Sequence, residues 1–147
     1  MKQVILILCF IGSLQIAQAQ TDQKEIAEIA KVVSYYLDGG TNGDSLMFSK
    51  AFAPQGQMLY MRNDTLMILS LKDFMARARN NGQKADRATK IDQIQIFGNA
   101  AQAKLTVEFP SFYFHDLMSL LKTKEGWKIV NKIFYREEKK QPNQSKN

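Results

Sequence analysis

The chain has 147 residues, a formal net charge of +6 and a single cysteine, Cys9. This length suits one domain with a substantial core, and one cysteine excludes both an internal disulfide and a site built from several thiolates. Basic residues are scattered singly among acids, except in a lysine-containing C-terminal tail. That pattern is typical of a solvated, mildly basic surface, so we expect no nucleic-acid partner.

The first 19 residues have the three parts of a secretory signal peptide. Lys2 supplies the positive charge, an apolar stretch runs from Val4 to Leu14, and Ala17-Gln18-Ala19 matches the small residues that a signal peptidase accepts. The apolar stretch is about half of the ~20 residues that a spanning helix needs. We therefore predict cleavage before Gln20 and a periplasmic or secreted product without a stable membrane anchor. Cleavage would also remove Cys9.

After this segment, apolar residues at three- and four-residue spacing predict an amphipathic helix over Asp22–Tyr36. Asp22 could cap its start, with Glu25 completing a capping box. The run from Asp38 to Gly43 is rich in glycine and asparagine and should end the helix, because these residues tolerate positive φ.

Shorter elements follow. Asp44 or Ser45 is a candidate N-cap for the second helix, Pro54 should stop it, and Ser70 is a candidate N-cap for the third. The predicted elements are a helix over Asp44–Phe52, a hairpin whose strands Gln57–Arg62 and Thr65–Leu69 flank Asn63-Asp64, and a helix over Leu71–Asn80.

The rest of the chain is strand-rich and predicts an antiparallel meander. Its four strands are Arg87–Phe97, Ala101–Phe109, Phe112–Thr123 and Trp127–Arg136. Helices segregated from an antiparallel sheet indicate an α+β fold, and a strongly bent sheet wrapped over one long helix would enclose a cone-shaped cavity. We place the domain at residues 20–136 and expect residues 137–147 to be disordered, because that stretch lacks core residues.

Several segments resemble the nuclear transport factor 2-like superfamily and, within it, the exported bacterial family named "Putative lumazine-binding". The resemblance spans Gln23–Arg136. The segments are Tyr36-Leu37-Asp38-Gly39 with Gly43-Asp44, Ala51-Phe52-Ala53-Pro54, Ile94 to Lys104, Leu120-Leu121-Lys122, and Gly126 to Phe134. The resemblance implies a cone formed by a strongly bent antiparallel sheet over N-terminal helices. Some superfamily enzymes use a cavity-facing Asp or His as a general base, and sheet faces in this superfamily often pair.

His115 and Asp116 are the candidate catalytic residues. Adjacent residues on a strand point to opposite faces, so both cannot line one cavity. Asp116 shares a face with otherwise apolar neighbours, where a carboxylate is costly unless it is hydrogen-bonded or functional. A desolvated acid or imidazole could serve as a general base. A purely structural role for either residue stays open.

Aromatic side chains could form the walls of a ligand pocket, although they could equally fill the core. The pocket candidates are Tyr36, Tyr60, Phe114 and Trp127. Arg77, Arg79 and Arg87 could form an anion site or a solvated surface. We expect no metal site and no cofactor, because the mature chain has one histidine, no cysteine and no carboxylates clustered at ligand spacing.

Three functions remain open at this point. The first is an exported binding domain for a small apolar or aromatic molecule. The second is a cofactor-independent isomerase- or dehydratase-type enzyme that uses Asp116 or His115. The third is a homodimer formed through the sheet. Strict alternation along the last strand places Val130 and Phe134 on one face with Lys128 and Lys132. Both faces of the strand then have apolar side chains, which suits dimerisation.

Overall fold

The computed structural model describes the backbone of residues 2–140 and the side chains of residues 22–140. The predicted signal peptide therefore lies outside the residues whose side chains are described. The elements in chain order are α1 (Lys2–Asn42), α2 (Ser45–Ser49), β1 (Phe52–Arg62), β2 (Thr65–Ser70), α3 (Leu71–Arg77), β3 (Ala88–Phe97), β4 (Ala100–Glu108), β5 (Phe112–Thr123) and β6 (Gly126–Glu138). Within the described part of the chain, no helix combines the length and apolarity needed to cross a membrane.

Helix α1 does not begin at Asp22 and does not end at Tyr36. It runs through both positions to Asn42, and Gly43, with φ of 63°, follows it. The capping box predicted from Asp22 and Glu25 is therefore wrong. Glu25 instead accepts hydrogen bonds from β5 and β6, which fasten this part of α1 to the sheet.

The predicted caps and hairpin are confirmed. The Asp44 side chain accepts from the backbone N–H of Met47 at the start of α2, and Ser70 caps α3 in the same way. Asn63 and Asp64 join β1 to β2 with φ values of 48° and 60°, the paired left-handed geometry that suits a two-residue hairpin turn. Both short helices end earlier than predicted.

The six strands form one sheet in the order β2-β1-β6-β5-β4-β3. The predicted antiparallel meander from β3 to β6 is confirmed, and β1 pairs antiparallel with β2. The pairing of β1 with β6 is parallel, so the prediction of a wholly antiparallel sheet is wrong. These two strands are far apart in sequence, and no turn signal could reveal their direction.

A β-bulge in β6 changes which side chains face the core. Leu120 pairs with Ile129, yet the preceding residue Ser119 pairs with Asn131, so Val130 is an extra residue in β6. One extra residue moves every following side chain to the opposite face. Strict alternation therefore failed for Lys132, which is buried, and for the residues after it.

The hydrophobic core lies between the helices and the inner face of the sheet. Helix α1 contributes Ile29, Val33, Tyr36 and Leu37, all buried at the spacing of one helix face. The sheet contributes the alternate, inward-facing residues of β4 together with their neighbours on β5 and β6: Ala101, Ala103, Leu105, Val107, Met118, Leu120, Trp127 and Ile129.

The end of the domain lies beyond the predicted boundary at residue 136. Strand β6 continues to Glu138, and the backbone N–H of Lys139 donates to the carbonyl of Ser111 at 2.9 Å. The prediction that disorder begins at residue 137 is therefore wrong for Glu137 and Glu138. Residues 141–147 of the predicted tail lie outside the described residues.

Candidate functional site

A cavity of about 250 Å³ lies between the helices and the inner face of the sheet. Aromatic rings form much of its wall, and the polar wall residues are few. The lining residues are Tyr36, Gly39 and Gly40 from α1, Phe48 from α2, Met58 from β1, Phe74, Ala78 and Arg79 from α3 and the turn after it, Arg87, Val107, Phe114, Lys132 and Phe134.

A buried polar triad made of Tyr36, Asp116 and Lys132 adjoins this cavity. The Tyr36 hydroxyl donates to Asp116 Oδ2 at 2.6 Å, and Lys132 Nζ donates to the Tyr36 hydroxyl at 2.6 Å. Lys132 Nζ also lies 2.6 Å from Asp116 Oδ1 in an ion pair whose angles do not meet those of a hydrogen bond. Tyr36 and Lys132 line the cavity, whereas Asp116 contacts both of them from behind the wall.

Burial sets the protonation behaviour of the triad. It raises the pKa of Tyr36 well above its usual value, and the charge of Asp116 adds to this rise. It lowers the pKa of Lys132, partly offset by attraction to Asp116. The ammonium also lies over the rings of Tyr36 and Phe134, at 4.9 and 5.0 Å from their centroids. The triad thus consists of the Lys132–Asp116 ion pair with the Tyr36 hydroxyl hydrogen-bonded to both members.

Arg87 enters the cavity wall through a gap made by Gly40. Its Nη2 donates to the carbonyl of Leu37 at 2.7 Å, and its Nε donates to Thr41 Oγ1 at 2.9 Å. A Cβ at Gly40 would lie 2.4 Å from Arg87 Nη2. Burial is the main cause of the lowered pKa of this guanidinium.

The adjacent Gly39 allows close packing between α1 and α2. A Cβ there would lie 2.4 Å from the backbone nitrogen of Phe48, so the missing side chain lets α2 pack directly on α1. Phe48 then contacts Tyr36, Phe52 and Phe74 with centroid distances of 5.0, 5.4 and 5.1 Å. The two helical glycines, which cost helix stability, therefore shape one end of the cavity.

The structure brings together some of the predicted site residues. Tyr36 and Phe114 line the cavity, and Asp116 is buried behind it. Tyr60 stacks on Phe134 at 5.3 Å without forming part of the wall. Trp127 is buried elsewhere in the core, where its indole N–H donates to Glu25 at 2.7 Å.

His115 lies on the opposite face of β5 from Asp116, as strand parity predicted. Its Nε2 pairs with Glu137 Oε2 at 2.7 Å on the outer surface of the sheet. It therefore cannot act in the cavity together with Asp116. No group of three His, Cys, Asp or Glu residues that could hold a metal is present among the described residues.

Two polar wall residues were missed or misplaced by the sequence reasoning. Lys132 was placed on the face opposite Trp127 and Ile129 because the bulge at Val130 was not recognised. A signal existed, since strict alternation would have put polar Asn131 on the same face as Trp127 and Ile129. Arg87 was named only within a loose cluster, and no sequence feature distinguished it from Arg79.

Comparisons with known proteins agree with this architecture. The model of the family described as "Putative lumazine-binding" matches residues 24–135. No curated protein matches the chain.

Solved structures similar to this chain include three nuclear transport factor 2-like proteins of unknown function. The one from Shewanella baltica OS155 is 27% identical with a TM-score of 0.70, over 78% of this chain and 94% of its own. The one from Methylobacillus flagellatus KT is 29% identical with a TM-score of 0.68, over 78% of this chain and 93% of its own. The one from Silicibacter pomeroyi DSS-3 is 20% identical with a TM-score of 0.70, over 79% of this chain and 98% of its own.

Proposed function

The chain belongs to the family described as "Putative lumazine-binding" and has a nuclear transport factor 2-like fold, and we propose that it is an exported, non-catalytic domain that binds a small apolar or aromatic molecule. The observation that carries this proposal is the cavity walled by aromatic rings beside a buried polar triad. Apolar walls with a few fixed polar groups are the usual composition of a small-molecule site.

The size of the cavity limits the ligand. Drug-sized ligands occupy pockets of about 300–1,000 Å³, and this cavity of about 250 Å³ lies just below that range. A compound of one or two rings would fill it. Phe48, Phe74 and Phe114 line it, and aromatic rings favour a planar aromatic molecule through offset or edge-to-face contacts.

The state of Asp116 favours binding over catalysis. An enzyme of the isomerase or dehydratase type would need this carboxylate to accept a proton from a substrate in the cavity. Asp116 is instead fully buried, accepts the Tyr36 hydroxyl and pairs with Lys132. A substrate would have to displace one of these partners before it could reach the carboxylate. Catalysis through Asp116 is therefore the second candidate.

A pair of matched tryptophan variants tests the binding function. Ala78 lines the cavity directly after α3, whereas Ala76, two residues earlier on α3, is exposed. Ala78→Trp should block the cavity, and Ala76→Trp should leave it open. Ligand-observed NMR with a panel of neutral and anionic one- and two-ring aromatic compounds should show binding to the wild type and to Ala76→Trp, but not to Ala78→Trp. Binding that is absent from the wild type, or equal in all three proteins, would refute the proposal.

Export is part of the proposal and rests on the N-terminal sequence alone. The expected mature chain begins at Gln20, because Ala17 and Ala19 provide the small residues of a cleavage site. Expression of the full chain in a Gram-negative host, followed by fractionation and N-terminal sequencing, should recover the processed protein from the periplasm. Recovery of the intact chain from the cytoplasm would contradict this part.

We also propose that the outer face of the sheet pairs with a second copy of the chain. Beyond the bulge, β6 presents Ile133 and Tyr135 outward, with exposed fractions of 42% and 67%. Ile68 of β2 is 64% exposed on the same face, in register with Ile133 across Leu59 of β1. Such neighbouring apolar side chains indicate an interface. Analytical ultracentrifugation should show a dimer that Ile68→Glu dissociates, while Leu46→Glu on α2, also highly exposed, leaves it intact. A monomeric wild type would refute the pairing.

A further inference from the structure

The cavity wall carries more positive than negative charge. Lys132, Arg79 and Arg87 line it, no carboxylate is among the lining residues that the structure describes, and Asp116 adjoins the wall. Lys132 is neutralised by its ion pair with Asp116. Among the described residues, neither arginine has a carboxylate within ion-pair distance, and Asp116 and Asp38 attract Arg87 from further away. The wall therefore keeps a net positive charge.

Arg87 is the better placed of the two arginines to receive a ligand anion. The two groups that accept hydrogen bonds from Arg87, the Leu37 carbonyl and Thr41 Oγ1, are both neutral. A guanidinium has five N–H donors, and these contacts use two of them. Arg87 is half-buried while Arg79 is exposed, and a cation withdrawn from water without a counter-charge is unfavourable.

Gly40 leaves the space that the Arg87 guanidinium occupies in the cavity wall. A glycine inside a helix is less favourable than alanine by about 0.5–1 kcal/mol. Its Cβ would occupy the space of Arg87 Nη2, at 2.4 Å. A larger residue at this helix position would therefore force the guanidinium to shift from its place in the cavity wall.

We propose that the ligand is a small aromatic carboxylic acid whose carboxylate binds Arg87 and whose ring lies among Phe48, Phe74 and Phe114. This inference rests on the proposed binding function and adds the charge of the ligand to it. Arg87 is preferred to Lys132 because the Lys132 charge is already used by Asp116. A planar guanidinium also matches a carboxylate with two parallel hydrogen bonds.

The test compares two probes of equal shape and different charge, 2-naphthoate and 2-naphthamide, by isothermal titration calorimetry at neutral pH. The wild type should bind the carboxylate about tenfold or more tightly than the amide, because charge-assisted hydrogen bonds are about twice as strong as neutral ones. Arg87→Gln should bring the two affinities within about twofold of each other. Arg62→Gln, which removes the same charge from the exposed end of β1, should keep the preference.

The outcomes separate this inference from the function on which it rests. Equal affinities in the wild type would overturn the anion preference while leaving a binding cavity. Absence of binding by both probes up to about 1 mM would remove both claims. A preference that survives in Arg87→Gln would refute the assignment to Arg87. Should Arg87→Gln not fold, Gly40→Ala provides the second test, since its methyl group would lie 2.4 Å from Nη2, displace the guanidinium and weaken the preference.

Discussion

The buried triad predicts a large and specific effect of replacing Lys132 with methionine. Methionine is close to lysine in length and fits among the rings of Tyr36 and Phe134, so the change removes charge more than volume. Asp116 then keeps the Tyr36 hydroxyl as a donor and loses its counter-charge in a fully buried position. An unpaired buried carboxylate is strongly unfavourable.

The expected loss follows from the burial of the pair. Breaking a buried ion pair by removing one partner costs about 3–5 kcal/mol, a large part of the 5–15 kcal/mol that stabilises a domain. Replacing all members with apolar residues is often neutral or stabilising. The triple variant Lys132→Met, Asp116→Leu, Tyr36→Phe should therefore recover most of the stability lost in Lys132→Met.

Urea denaturation of the single and triple variants measures these differences. Lys90→Met is the control, because Lys90 pairs with Asp92 at 3.0 Å on the surface and its removal should cost less than about 1 kcal/mol. A loss below about 1 kcal/mol for Lys132→Met, or a triple variant less stable than the single one, would refute the reasoning.

Three further predictions follow from single contacts. Glu25→Gln should lower the free energy of unfolding at pH values above 4.5, the ordinary pKa of this carboxyl, because hydrogen bonding to Lys122 lowers the pKa of Glu25 in the folded state. As the pH falls below 4.5 and through the lowered folded-state pKa, the stabilities of the variant and the wild type should converge. Urea denaturation at several pH values tests this. Gly39→Ala should cost about 1–3 kcal/mol by forcing Phe48 away, measured by denaturation, and an unchanged stability would contradict the close approach. Asp64→Gly should raise the free energy of unfolding by up to ~1 kcal/mol, because φ is 60° at this position and glycine adopts positive φ more readily than aspartate. A fall in the thermal midpoint would contradict the turn geometry.

The sequence reasoning succeeded where structure is set locally. Alternation along β4 and β5 placed Asp116 inward and His115 outward, and the caps at Asp44 and Ser70 were recognised from residue type. Such features depend on neighbours along the chain, which a single sequence displays. They were sufficient for the α+β class and for part of the cavity wall.

The failures came from contacts between distant segments. The parallel pairing of β1 with β6 has no local signal, and the bulge at Val130 puts Lys132 on the same face as Trp127 and Ile129, contrary to strict alternation. Gly40 was interpreted as a helix terminator, whereas the structure shows that it makes room for Arg87. The place of Gly40 inside α1 depends on its packing against Arg87, a residue distant in sequence.

The most direct test of the ligand-binding cavity is a methyl NMR titration with 2-naphthoate. Met58 lines the cavity, whereas Met61, three residues further along the same strand, is 62% exposed and lies outside it. A ligand bound among aromatic rings should shift the Met58 methyl resonance in a saturable way and leave that of Met61 unchanged. A saturable shift at Met61 alone, or no shift at Met58 at concentrations up to about 1 mM, would contradict the account.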